Sequence, residues 1–306
     1  MKFKIILFLI LLLIVAKQGF GQNITLDSLF RINKKYKKVD VAKYGIYCRI
    51  SSSLRFNQPV EALKYADSGI FIAKQLNDHN ILAEAYSQRA NILLQLGKID
   101  ASQRVLDTIL SFLSNKKDND AIMNSEAILY QKGICYETYS QYDRALDMYN
   151  KCLRVSNQIH DTSMIFNNSL HIIKIYVSIR DFETALANTN ELKTKWVSLY
   201  QNAPAKSKLF YVNLSAIFNL LGTIQMQLKD YNESLKSLLR SINICDSVKG
   251  TPANFKYMFR LSLAELLIEK KDYEGSYSQI ELVEGFFKKS NQAEPLSKIN
   301  LLLGRM

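Results

Sequence analysis

Residues 129–152 read LYQKGICYETYSQYDRALDMYNKC. Leu129, Gly133 and Tyr136 are spaced by four and three, and so are Ala145, Tyr149 and Cys152. Side chains three and four apart share one face of a helix. The two sets therefore describe two apolar stripes, interrupted at Tyr139-Ser140-Gln141, and predict a pair of antiparallel helices. Gly133 and Ala145 are small where the helices cross, so the backbones can approach closely. Tyr142, just past the turn, is placed to plug the end of the hairpin.

The same phrase recurs along the chain. It appears as Phe218–Leu221–Gly222 with Asp230-Tyr231 and Ser234, and as Tyr86–Ala90–Leu93 with Gly97-Lys98-Ile99 and Ser102. Further copies are Ile173–Tyr176 with Asp181-Phe182 and Ala185, Ala264–Leu267 with Asp272-Tyr273 and Ser276, and Ile46–Ile50 with Pro59 and Ala62. One helix pair cannot bury both of its faces, so neighbouring pairs must stack. The predicted pairs cover 41–76, 80–115, 119–158, 162–200, 204–248 and 252–289, after a short helix over 25–38. Pro59, Pro204, Pro252 and Pro295 fall at or just before helix starts, where proline is tolerated.

These residues resemble the tetratricopeptide repeat family, with its Leu-Gly and Tyr on a first helix, an aspartate–aromatic turn, and small residues on a second. The resemblance implies an all-α fold: an α-solenoid of stacked antiparallel pairs over residues 41–306, about six pairs plus a terminal half-repeat. The small residues opening each second helix (Ala62, Ser102, Ala145, Ala185, Ser234, Ser276) lie 40, 43, 40, 49 and 42 residues apart, against a usual period of about 34. The long period resembles exported arrays that form the sensor halves of bacterial envelope regulators.

Composition agrees. The 306 residues include only 11 Gly and 4 Pro, where average usage gives about 21 and about 15. So few turn-formers disfavour a β-sandwich, barrel or propeller, and 48% hydrophobic residues exclude a disordered chain.

Residues 1–22, MKFKIILFLILLLIVAKQGFGQ, have the layout of a secretory signal peptide: Lys2 and Lys4, an apolar core Ile5–Ala16, then Gly19 and Gly21 before cleavage. Residues 23–40 are a short helix and linker. No later segment reads as apolar enough to span a bilayer. The expected location is the periplasm of a Gram-negative envelope. Removing Lys2, Lys4 and Lys17 lowers the formal charge from +12 to +9, a solvated basic surface densest at Arg31–Lys38. Nucleic acid is a poor partner for an exported chain.

The four cysteines form no CxxC motif. Cys135 and Cys152 are the one pair a local hairpin could bring together, and buried free thiols are the expected state. His79 and His160 fall in polar breaks as loop or cap residues. There is no Gly-rich phosphate loop, no G-x-S-x-G and no H-E-x-x-H, so neither catalysis, a metal nor a cofactor is expected.

What remains is recognition. Stacked pairs present their first helices along a concave groove. Helical phase puts Tyr47 and Ser51, Ser87 and Asn91, Tyr130 and Ile134, Leu170 and Lys174, Asn219 and Thr223, and Leu261 and Glu265 on the groove side. Asn91, Tyr130, Lys174 and Asn219 are the candidate peptide-binding residues, and the expected partner is a protein or peptide. The alternative is a truncated extracytoplasmic sensor portion of a regulator, since Leu303-Gly304 repeats the Leu221-Gly222 phrase close to the last residue. Trp196 reads as half-buried packing.

Overall fold

The computed structural model describes residues 25–116, 118–199, 207–290 and 293–306. The expected signal peptide, and Pro204 with its polar connection, lie outside them. Among the described residues there are helices and no strands: α1 (Leu26–Lys35), α2 (Val41–Leu54), α3 (Pro59–Leu76), α4 (His79–Gln95), α5 (Ile99–Ser114), α6 (Asn119–Thr138), α7 (Tyr142–Ile159), α8 (Thr162–Ser178), α9 (Phe182–Leu199), α10 (Lys208–Gln227), α11 (Tyr231–Ser247), α12 (Ala253–Glu269), α13 (Tyr273–Lys289) and α14 (Ala293–Leu303). These bounds follow the sequence expectation within a few residues. The chain forms two compact units, 1–135 and 136–306, which divide within α6.

The turns explain the helix ends. Within five pairs, one residue adopts a left-handed conformation: Gly97, Ser140, Arg180, Lys229 and Lys271, with φ from 57° to 70°. The next residue's N–H then closes on the carbonyl five positions back, as from Asp181 to Tyr176, Asp230 to Gln225 and Asp272 to Leu267, at 2.8–2.9 Å. This is the Schellman C-cap, which satisfies otherwise orphaned carbonyls. Asp181, Asp230 and Asp272 then accept N–H bonds from the first turn of the following helix. One aspartate thus ends one helix and starts the next. Pro59 is the first residue of α3, Pro252 precedes α12, and Pro295 lies in the first turn of α14.

In the first unit each helix from α1 to α5 packs on the next. Leu29, Ile50, Leu54, Ala62, Ala66 and Ile92 form one buried cluster; Ala90, Leu93, Leu106, Ile109 and Ile128 belong to another. The second unit repeats the plan from α7 to α14. Its largest cluster joins Phe166, Ile173, Ala185, Leu192, Trp196, Phe210, Ile217, Phe218 and Leu221. Trp196 is 1% exposed rather than half-buried. Phe210, just after the break that follows α9, supplies a carbonyl that accepts from the indole N–H at 3.1 Å.

Helix α10 corrects another expectation. Its 20 residues reach a mean hydropathy of 1.3 over 18 positions, long and apolar enough to cross a membrane. Its side chains Phe210, Ile217, Phe218, Leu221, Ile224 and Met226 are instead buried against neighbouring helices, so here the apolar composition serves a core.

A bond between the paired helices recurs. The small residue opening the second helix donates its hydroxyl to the carbonyl of the small residue on the first: Ser102 to Ala90 at 2.8 Å, Ser234 to Gly222 at 2.7 Å and Ser276 to Ala264 at 3.0 Å. In the first pair the direction is reversed, Ser51 donating to Ala62 at 2.9 Å. Helix α14 docks on α12 and α13 through Ile299 and Leu302, both fully buried.

Candidate first-helix binding face

In the first unit, α2, α4 and α6 are joined by amide side chains. Gln88 donates to the Cys48 carbonyl at 2.8 Å and to the Ser52 hydroxyl at 3.0 Å. Gln131 donates to the Ser87 carbonyl at 3.0 Å and the Asn91 side-chain oxygen at 2.8 Å. Asn91 therefore commits its acceptor to the neighbouring helix. Tyr130 is half-buried on α6. Ser51 does not face a groove, because its hydroxyl is fully buried in the bond to Ala62.

At the start of α4, His79 Nε2 lies 3.0 Å from an Asp118 carboxylate oxygen. With Asp120 these groups could offer three donor atoms to a divalent ion. Each already has a structural task, since Asp118 caps α6 through the Ala121 N–H and Asp120 accepts from Asn80. His160 is the left-handed C-cap of α7, as its polar break suggested.

In the second unit, α8, α10, α12 and α14 are the corresponding first helices. On α8 the stripe His171, Lys174, Ser178 steps by three and four, and on α10 the stripe Asn219, Thr223, Gln227 steps by four. A hollow of about 370 Å³ opens beside the ends of these stripes, lined by Ser178, Thr223, Gln227, Glu265 and Lys298, with Arg180 at its edge. Four successive first helices thus each supply a polar side chain to one cavity. Glu265 pairs with Lys298 at 2.8 Å, while Arg180 is exposed and has no carboxylate partner among the described residues. The hollow carries an excess positive charge.

None of the four candidate residues lines this hollow; two stand on the same helical stripes as its lining. Lys174 is exposed one turn before Ser178, and Asn219 lies one turn before Thr223 with its side-chain oxygen buried and without a hydrogen-bond partner. Thr223 and Glu265 are on the face as phase predicted. Leu261 is not: it is fully buried in the cluster of α12, α13 and α14. Arg180 and Lys298 were missed. One is a turn residue, and the other belongs to a helix whose repeat signature is only Leu303-Gly304.

Midway along α8, His171 donates from Nδ1 to Glu137 at 2.6 Å, and Glu137 also accepts from the Tyr149 hydroxyl at 2.5 Å. Burial alone would push the Glu137 carboxyl up, but these bonds and the nearby charges of His171 and Lys174 outweigh it and hold the group below its usual range. The cysteines are inert by comparison. All four are free thiols, Cys135 and Cys152 included, and burial pushes Cys48 up to about 11.

Helices paired through small-residue contacts and stacked pair on pair define an α-solenoid of the repeat-protein class. Residues 215–247, most of α10 and all of α11, match the tetratricopeptide repeat family model, and the other pairs follow the same plan. Solved structures of like fold include BtubC (BKLC) from P. vanneervenii, with TM-score 0.63, 15% identity, and 77% of this chain matched to 93% of that one. PH0952 from Pyrococcus horikoshii, a signal transduction ATPase with numerous domains and a tetratricopeptide repeat sensor, gives 0.64 at 12% identity, over 88% of this chain and 41% of that one. NprR in complex with its cognate peptide NprX gives 0.53 at 13% identity, over 95% and 80%. At these identities the likeness is one of fold. No curated protein matches the sequence.

Proposed function

We propose that the chain is a non-catalytic scaffold of the bacterial envelope that binds a peptide or an extended protein segment along the first helices of its second unit. The observation that carries this reading is the hollow to which α8, α10, α12 and α14 each contribute a polar side chain. Lys174 and Asn219 stand one helical turn from Ser178 and Thr223 on the same stripes, and Lys174 is exposed. Arg180 favours a segment bearing an acidic side chain. NprR, which shares the fold, is known in complex with a peptide. Export is supported by the basic, apolar and small-residue order of residues 1–22. Asn91 and Tyr130 stand on the equivalent helices of the first unit and are assigned a secondary contact there.

A sensor portion of a larger regulator is a second reading, supported by the fold shared with a protein that has a tetratricopeptide repeat sensor. It would use the same face. The test is a random-peptide display selection on the protein, repeated on the double variant Lys174→Ala, Asn219→Ala. Enrichment is expected for the parent and lost in the variant at unchanged melting temperature. Equal enrichment on both contradicts this site.

A further inference from the structure

The second unit has another hollow, of about 460 Å³, which the peptide reading leaves unused. It lies where α9, α10 and α11 meet, on the side of the second helices. Val197 from α9 and Leu214 and Phe218 from α10 provide its apolar lining; Lys193 and Arg240 border it, and Thr194 and Ser198 place hydroxyls at its rim. Among the described residues no acidic side chain lines it.

Its two cations lack the partners that most buried or bordering charges acquire. The Arg240 guanidinium stacks over the Phe218 ring, 4.5 Å from the centroid. Stacking fixes the plane of the guanidinium and leaves its N–H donors available at the edge. The Lys193 ammonium meets only the neutral Asn190 side-chain oxygen, at 3.1 Å. Neither has a carboxylate in ion-pair range among the described residues. Two like charges at one rim repel, and an anion that meets both relieves that cost. Val197 is 43% exposed beside this rim, so an apolar body on the ligand would remove surface from water that the chain itself leaves wet. The volume lies in the range of small-molecule sites, roughly 300–1,000 Å³.

We propose that this hollow binds a small organic carboxylate with an apolar body, such as a medium-chain alkyl carboxylate. The carboxylate meets Arg240 and Lys193 at the rim, and the chain lies on Val197, Leu214 and Phe218. The hollow shares no lining residue with the one on the peptide face.

The test is isothermal titration of the full chain with octanoate, octanol and octylammonium. Saturable one-to-one binding is expected for octanoate, about tenfold weaker binding for octanol and none for octylammonium. Raising the salt should weaken octanoate binding alone. The double variant Lys193→Gln, Arg240→Gln changes two surface side chains and should lower octanoate affinity about tenfold, to that of octanol. The proposal is overturned by absence of saturable octanoate binding, by equal binding of octylammonium, or by a double variant that keeps full octanoate affinity.

Discussion

The Ser234 hydroxyl donates to the Gly222 carbonyl at 2.7 Å, and at the same crossing the space a side chain on Gly222 would need is filled by Leu238. A Cβ built on Gly222 would lie 2.5 Å from Leu238 Cγ and 3.1 Å from the Ser234 carbonyl oxygen. The contact that sets the distance between α10 and α11 is therefore steric and hydrogen-bonded at once. Gly222→Ala should force α10 and α11 apart and cost about 1–3 kcal/mol. Ser234→Ala keeps the spacing and loses one buried bond, about 1 kcal/mol. Urea unfolding of the two variants checks the order; a Gly222→Ala protein as stable as the parent would contradict the tight crossing.

The left-handed turns give a prediction of opposite sign. Lys229 and Lys271 hold φ of 63° with ordinary side chains. That conformation costs a non-glycine residue roughly 1–2 kcal/mol, part of which glycine returns through its freer unfolded chain. Lys229→Gly and Lys271→Gly should each raise stability by about 0.5–1 kcal/mol. The shift in urea midpoint reads the effect directly, and a loss of stability would show that these side chains contribute more than the turn costs.

Glu137 should make the second unit acid-sensitive. Burial would raise its pKa, but the bonds from His171 and Tyr149 outweigh burial and hold it below the usual glutamate range. A carboxyl depressed on folding contributes stability that is present above its unfolded pKa and lost as pH falls through its folded one. The stability gap between the parent and Glu137→Gln should therefore be largest near neutrality and shrink once pH drops below 4.5. Thermal melts between pH 7 and pH 3 measure it; a gap that widens on acidification reverses the sign of the argument.

Trp196, the one tryptophan in the chain, is packed against Phe166 with ring centroids 4.9 Å apart and donates to the Phe210 carbonyl. Its emission should be blue-shifted and resist quenching by acrylamide. Trp196→Ala should cost about 3–5 kcal/mol, the lost indole bond to Phe210 included. Emission typical of a solvated indole would contradict the packing of α9 on α10.

Helix positions were legible in the sequence because local signals agree where α9, α11 and α13 begin: an aspartate that caps, an aromatic at the first helical position, a small residue three later. The candidate face was legible only in part. Thr223 and Glu265, which helical phase put on the groove side, line a hollow, but Leu261 and Ser51, counted with them, are buried, since a helix wheel shows direction and not what stands opposite. Leu261 is covered by α13 and α14, and Ser51 by the carbonyl of Ala62. Arg180 escaped notice because its position within the pair made it a turn residue, and turn residues are not on any helical stripe. The depth of Trp196 depends on Phe210, which lies beyond a polar break that periodicity does not bridge.

The central claim is that a peptide lies on the first helices of the second unit, and amide hydrogen exchange with a display-selected peptide tests it most directly. Binding should slow exchange around Lys174–Ser178, Asn219–Gln227 and Glu265, and Thr223→Trp, which fills the hollow, should abolish that protection. Protection confined to the second helices α9, α11 and α13, or unchanged by Thr223→Trp, would contradict the account.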